Sequence, residues 1–293
     1  MANVIHLKAL AKINLGLDVI GVREDGYHLV RMIMQAIELH DWVTVKKASH
    51  AGITLKTNLD FLPTDQSNIA YQAAQLLLQD YPQIGGVELS IHKCIPIAAG
   101  MAGGSTDAAA VLYGMNRIFE LGIPRKRLME YGLRIGADVP FCLLRGTALA
   151  EGIGEELHAL PCMPDCYLLI AKPPVSVSTK SVYQALDALP ELPHPPIDAL
   201  REDLLAGDLS TLASHMGNVL EQVTIPMHPQ IDRIKQLMCE NGAMAAMMSG
   251  SGPTVFGIFS EKQLANGAAR KVRESGLARG VYVTRPFHKE KNR

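Results

Sequence analysis

Residues 4–22 alternate apolar and polar positions and are rich in β-branched side chains. That period of two predicts a strand, turning between Gly21 and Gly26. Residues 43–47 and 53–57 alternate in the same way across a Ser-His-Ala-Gly turn and are expected to pair as a hairpin. The period then lengthens. Ser67 or Asn68 can cap a helix that puts Ala70, Ala73, Ala74, Leu77 and Leu78 on one face. Residues 87–92 form a further strand, which runs directly into the glycine-rich stretch PIAAGMAGGSTDAAA, residues 96–110. Beyond it, residues 105–119 are apolar on nearly every side, as in a buried helix. Residues 125–135 form a helix that stops at Gly136, and 141–144 and 147–150 read as short strands around Arg145-Gly146.

The second half opens at a proline- and cysteine-containing boundary, residues 160–165, followed by a strand at 166–171 and a helix at 179–189. The run LPELPHPPI, residues 189–197, excludes regular helix and central strand, because proline fixes φ and removes a donor. Helical spacing returns at 198–205, 209–216 and 229–241. The chain closes with strand (243–248), glycine turn (SGSGP, 249–253), strand (254–259), helix (261–275) and strand (281–285). Such elements pack as a sheet with helices on one face. Without a regular strand-helix alternation in the first half, the architecture expected is α+β, with domains at 1–161 and 162–293.

Composition narrows the function. Hydrophobic residues make up 48% of the 293 positions and charged residues 19%, enough for a large packed core. A formal net charge of -1 leaves no electrostatic footprint for nucleic acid or an anionic membrane, and favours a small-molecule partner. Cys94, Cys142, Cys162, Cys166 and Cys239 are odd in number and lack paired spacings, so reduced thiols are expected rather than a disulfide framework or a zinc site. The N-terminal residues lack a signal-peptide pattern, and no apolar run reaches membrane-spanning length; a soluble cytoplasmic protein is expected.

Four features carry chemistry. In the glycine loop, Gly100, Gly103 and Gly104 let backbone N–H groups approach a ligand, and Ser105, Thr106 and Asp107 are all competent caps for a helix starting among them. Its unsatisfied first-turn N–H groups would form an anion site, although the lysine of a P-loop and the spacing of a dinucleotide fingerprint are both missing. A tight turn with close helix packing is the structural alternative. In AKINLGL, residues 11–17, Lys12 and Asn14 stand two apart and share a strand face, which is either a functional pair or a solvent-exposed face. In GADVPF, residues 136–141, Asp138 either caps a turn or positions an attacking hydroxyl. SGSGP is a second glycine loop between strands.

In this order the four features resemble the GHMP family of small-molecule kinases, over essentially the whole chain. The segments AKINLGLDVIGVREDGYHLVRMIMQAI, GADVPFCLLRGTALAEGIGEEL and MMSGSGPTVF are similar to one branch of it. The resemblance implies a two-domain fold, with an N-terminal domain of a kind also found in ribosomal proteins and a C-terminal α/β sandwich of ferredoxin-like character. It implies phosphorylation by ATP of the 2-hydroxyl of cytidine diphosphate methylerythritol, in the non-mevalonate route to isoprenoid precursors. Pro96, Ala98, Ala99, Gly100, Met101, Ala102, Gly103, Gly104, Ser105 and Thr106 would wrap the ATP phosphates, with Asn68 and Lys93 near the nucleotide. Asp138 would be the catalytic base or orienting carboxylate, with Lys12 beside the reacting hydroxyl. Tyr27 and Tyr183 would sandwich the cytosine while His28 bonds its polar edge, and Asn14 and Thr179 would contact the erythritol-diphosphate portion. Magnesium is expected with ATP; no ligand is assigned, and the Ser105 and Thr106 hydroxyls are the candidates. Met101 departs from the leucine common in the family loop, and Thr106-Asp107 fall at a place that varies among relatives. A homoserine- or mevalonate-type kinase, an ATP-consuming decarboxylase relative and a non-catalytic nucleotide-binding protein are the alternatives. The oligomeric state is open, a homodimer being one option.

Overall fold

The computed structural model describes residues 3–289. Two strands run unusually long: β1 (Val4–Val22) and β2 (His28–Lys47). They are followed by β3 (Gly52–Thr57), α1 (Ile69–Asp80), β4 (Gly86–His92), α2 (Gly103–Ile118), α3 (Arg125–Leu133), α4 (Val139–Leu144), β5 (Thr147–Glu151) and β6 (Glu156–Leu160). The remainder is β7 (Tyr167–Lys172), α5 (Thr179–Leu186), α6 (Ile197–Ala206), α7 (Leu209–His215), β8 (Gly217–Asn218), α8 (Glu221–Met227), α9 (Gln230–Glu240), β9 (Ala245–Met248), β10 (Val255–Phe259), α10 (Lys262–Glu274) and β11 (Gly280–Thr284). Seven strands form one sheet in the order β3-β4-β2-β1-β8, with β5 also paired to β2 and β6 to β5; four form a second sheet, β11-β7-β10-β9.

The chain folds into two compact units. The first holds the residues up to Ala11, His40–Ile95 and Ala102–Arg145; the second holds Lys12–Leu39, Pro96–Met101 and everything from Gly146. In the first, α1 packs on α2, and the small side chains Ala70, Ala73 and Ala74 of one and Ala108, Ala109 and Ala110 of the other are all buried in its core. Gly114 extends that closeness to the sheet, since a Cβ there would lie 2.7 Å from Val45. In the second, the antiparallel four-stranded sheet carries α9 and α10 side by side against it, and β10 is buried along its whole length.

Two expectations fail, for physical reasons. Residues 43–47 and 53–57 are not a hairpin: β4 lies between them, antiparallel to β2 and parallel to β3. Alternation specifies a half-buried strand and leaves its neighbour unspecified. Residues 141–144 are not a strand but part of α4, whose first residues Val139, Pro140, Phe141 and Cys142 are buried, with proline in the first turn. A short apolar run is ambiguous between strand and helix, and packing of α4 on α2 and α3 decides for helix. The first half of β2, the strand β6 and the helix α8 go unannounced by the pattern.

Two glycines provide a paired test of this packing. A Cβ on Gly86 would sit 1.9 Å from the His50 carbonyl oxygen, whereas one on Gly267, inside α10, meets nothing. Gly86→Ala should destabilise by about 2–3 kcal/mol, and Gly267→Ala should stabilise by about 0.5–1 kcal/mol. Urea denaturation midpoints at constant m-value measure both.

Candidate active site

In the second unit, β1 is buried from Lys12 to Val19, so Lys12 (5% exposed) and Asn14 (0%) are not on a solvent face. Lys12 Nζ donates to Asn14 Oδ1 at 2.8 Å, the Asn14 amide lies 3.2 Å from the Met32 sulfur, and the Lys12 backbone N–H bonds the Met101 carbonyl at 3.2 Å. No carboxylate pairs with Lys12 among the described residues. A buried ammonium with one neutral partner is costly, and an anionic ligand would offset that cost. Gly16, two residues on, has a packing role: a Cβ there would meet Leu200 and Ile197 of α6 at 2.5 and 2.7 Å.

The two glycine loops touch within this unit. Gly100 has φ +68°, and a Cβ on it would lie 2.3 Å from the Ser249 carbonyl, so only glycine fits. Ser249 Oγ donates to the Gly100 carbonyl at 3.0 Å. The SGSGP loop is itself held by Asn218, whose amide donates to the Met248 and Gly250 carbonyls at 2.9 and 2.8 Å. Thr179, at the start of α5, pairs its hydroxyl with Ser251 at 2.9 Å. Ala98 and Ala102 are also left-handed, with φ +50° and +57°, which for alanine costs on the order of 1–2 kcal/mol each. Strain of this kind persists where surroundings enforce it and clusters at ligand-binding sites.

At the end of β1 the turn closes through Arg23 and Tyr27, leaving Tyr27 60% exposed. His28, first in β2, packs its ring on Tyr183 with centroids 4.6 Å apart at 39° and bonds Asp187 through Nε2 at 2.7 Å. Close by in β2, Arg31 grips Asp198 with two bonds of 2.7 Å and Glu151 with one of 3.1 Å, so its guanidinium is held above its ordinary pKa and Asp198 below its own.

In the first unit, α2 begins at Gly103 rather than among residues 105–107. Its N-cap is Ala102, which provides no side-chain hydrogen bond, so the first-turn N–H groups are left for another acceptor. Lys93, where β4 ends, donates to both Asp41 and Asp107 and to the Gly103 carbonyl at 3.3 Å. Asp41 also accepts the N–H groups of Cys94 and Ile95. Burial pulls the Lys93 ammonium down, but Asp107 and Asp41 outweigh it and raise it. Asp107 is pushed up to about 7, first by burial and then by Asp41, against the pull of Lys93; its Oδ1 has no partner. Asn68 is committed locally, accepting from Ala70 N–H at 2.9 Å as the N-cap of α1 and donating to the Pro63 carbonyl at 2.8 Å. Asp138 is half-buried at the N-cap of α4 and makes no capping bond with its side chain.

Sequence reasoning missed Asp41, Arg31, Asp187, Asp198 and Asn218. The available signal was weak: Asp41 interrupts a strand pattern, which marks a polar group needing a partner without naming it.

The chain matches the family model for the GHMP kinases N terminal domain over residues 68–146, and that for the GHMP kinases C terminal domain over 200–277. A 4-diphosphocytidyl-2-C-methyl-D-erythritol kinase of Lachnospira eligens is 56% identical over 97% of this chain and 98% of its own. One of Lachnoclostridium phytofermentans is 50% identical over 99% of each. The chain belongs to the 4-diphosphocytidyl-2-C-methyl-D-erythritol kinase family of the GHMP kinases. It is thereby an ATP-dependent small-molecule kinase with the two-domain α+β fold of that family. A crystal structure of 4-(cytidine 5'-diphospho)-2C-methyl-D-erythritol kinase superposes with TM-score 0.83 and 32% identity, covering 97% of this chain and 100% of that one. A homoserine kinase from Cytophaga hutchinsonii, at 21% identity, TM-score 0.79 and coverage of 98% and 95%, shares the fold.

The Asp107 carboxyl gives a pH test. Its folded pKa lies above the model-peptide value near ~3.9, so the native state binds the extra proton and stability falls as pH rises from ~4 towards ~7. Asp107→Asn lacks this titration. From pH 5 to 8 the wild type should lose on the order of 1–4 kcal/mol relative to that variant, read as converging or crossing thermal midpoints.

Proposed function

We propose that this kinase transfers the terminal phosphoryl group of ATP to the 2-hydroxyl of 4-diphosphocytidyl-2-C-methyl-D-erythritol, in the non-mevalonate route to isoprenoid precursors. The observation that carries this reading is the 56% identity, over nearly the full length of both chains, to a kinase bearing that substrate's name. The residues present suit it. The uncapped, strained start of α2 offers backbone N–H groups to a polyphosphate, with the helix dipole favouring negative charge. Pro96, Ala98, Ala99, Gly100, Met101, Ala102, Gly103, Gly104, Ser105 and Thr106 are proposed to wrap the phosphates, with Asn68 and Lys93 flanking that stretch. Bound ATP supplies an activated phosphoryl group, and its magnesium offsets charge on the phosphate oxygens. The ion is proposed to arrive with the nucleotide, the Ser105 and Thr106 hydroxyls being the candidate side chains to meet it.

Asp138 orients the attacking hydroxyl and takes up its proton, and Lys12 offsets charge where the phosphoryl group is received. Asn14 and Thr179 hold the erythritol-diphosphate portion. Tyr27, His28 and Tyr183 hold the cytosine. In the described structure the ring seated on Tyr183 is that of His28, so the base would stack at Tyr27 and meet the polar edge of His28. No helix among the described residues is long and apolar enough to cross a membrane, and the reading carries a cytoplasmic location with it.

An ADP-release assay with 4-diphosphocytidyl-2-C-methyl-D-erythritol, homoserine and mevalonate should give turnover with the first alone; turnover with another and not with it would overturn the assignment. Asp138→Asn should lower kcat by about 10³-fold while ATP still binds by calorimetry. Tyr27→Ala should raise KM for the cytidine substrate about tenfold with kcat little changed, as expected on losing a contact common to ground and transition states.

A further inference from the structure

Helix α5 brings two groups to one histidine. Its C-cap, Asp187, donates its backbone N–H to the Tyr183 carbonyl at 3.1 Å, so the two residues stand one helical turn apart. Tyr183 lies against the face of the His28 ring, and Asp187 Oδ1 lies 2.7 Å from its Nε2. The ring plane is thus fixed by one side chain and the ring edge by the other. A carboxylate has no hydrogen to give, so the hydrogen of this bond sits on His28 Nε2. In the neutral ring Nδ1 is then a lone-pair acceptor, and it makes no hydrogen bond among the described residues. The His28 side chain is 13% exposed, so Nδ1 belongs to a largely desolvated group for which an opposing acceptor would be expensive.

Cytosine and uracil differ at this kind of contact. Cytosine presents an exocyclic amino group, a donor, where uracil presents a carbonyl oxygen, an acceptor. We propose that Asp187 is a specificity-determining positioning residue, which fixes the Nε2–H tautomer of His28 so that Nδ1 accepts from the amino group of cytosine and excludes uracil. Asp187 touches neither base nor phosphate in this scheme; it acts through His28. The inference rests on the proposed cytidine substrate and on His28 reading its polar edge, and it adds the device that sets the direction of that hydrogen bond.

The test is equilibrium binding of CDP and UDP to the full chain by calorimetry, with no turnover involved. The wild type should prefer CDP by about 30-fold. Asp187→Asn keeps the shape, but its carboxamide can donate to Nε2 and release the hydrogen to Nδ1. The CDP-to-UDP ratio should then fall to about threefold or below, and Asp187→Glu should restore most of it. A merely structural role for Asp187 would weaken both ligands equally; an unchanged ratio in Asp187→Asn therefore overturns the proposal while leaving the cytidine assignment intact. A wild type that binds the two nucleotides alike overturns the assignment and the proposal together. Should Asp187→Asn not fold, ¹⁵N shifts of His28 in the wild type decide directly: a protonated Nε2 with a bare Nδ1 supports the proposal, and a proton on Nδ1 overturns it.

Discussion

A single ammonium group anchors the ends of the glycine-rich stretch. Lys93 lies buried between Asp41 and Asp107 and also bonds the Gly103 carbonyl, while Asp41 gathers the N–H groups of Cys94 and Ile95. Strand exit and helix entry, the two flanks of the glycine-rich stretch, are thereby tied to one point. With both carboxylates ionised the cluster would hold one more negative than positive charge; burial first, and then Asp41, push the Asp107 carboxyl above the usual carboxylate range. Buried ion clusters add little net stability against a well-packed apolar equivalent, yet losing one member leaves an uncompensated charge. Their effect here is geometric: the first turn of α2 is held in place while its N-cap residue, Ala102, provides no side-chain bond to its N–H groups.

The second glycine loop is positioned by backbone contact instead. Gly100 and the SGSGP loop approach too closely for any side chain between them, and Asn218 fastens that loop by its two carbonyl acceptors. In the same unit, the Lys12 ammonium is buried and among the described residues bonds only Asn14. One arrangement spends its charge internally and the other leaves a cation available. That contrast separates Lys93, occupied by structure, from Lys12, which is suited to meeting a phosphoryl group.

The proposed nucleobase end follows a third logic. His28 could read a base with either nitrogen, and its sequence context, DGYH, leaves the choice open. A carboxylate one turn beyond Tyr183 removes the ambiguity by accepting the hydrogen at Nε2. The proposed base specificity thereby rests on a residue half-exposed at a helix end.

The sequence alone determined the strands and helices whose period is strong, both glycine loops, the shared face of Lys12 and Asn14, and the likeness to a kinase family. Each depends on residues a few positions apart, where backbone geometry fixes what faces what. Tertiary structure alone decided that β4 separates β2 from β3, and that residues 139–144 are helical. It also supplied Asp41 to Lys93 across 52 positions and Asp187 to His28 across 159. Periodicity says which side of an element is buried. What lies on the other side of that interface depends on how the chain closes, and a buried charge or an ambivalent imidazole acquires its meaning only from the partner that closure delivers.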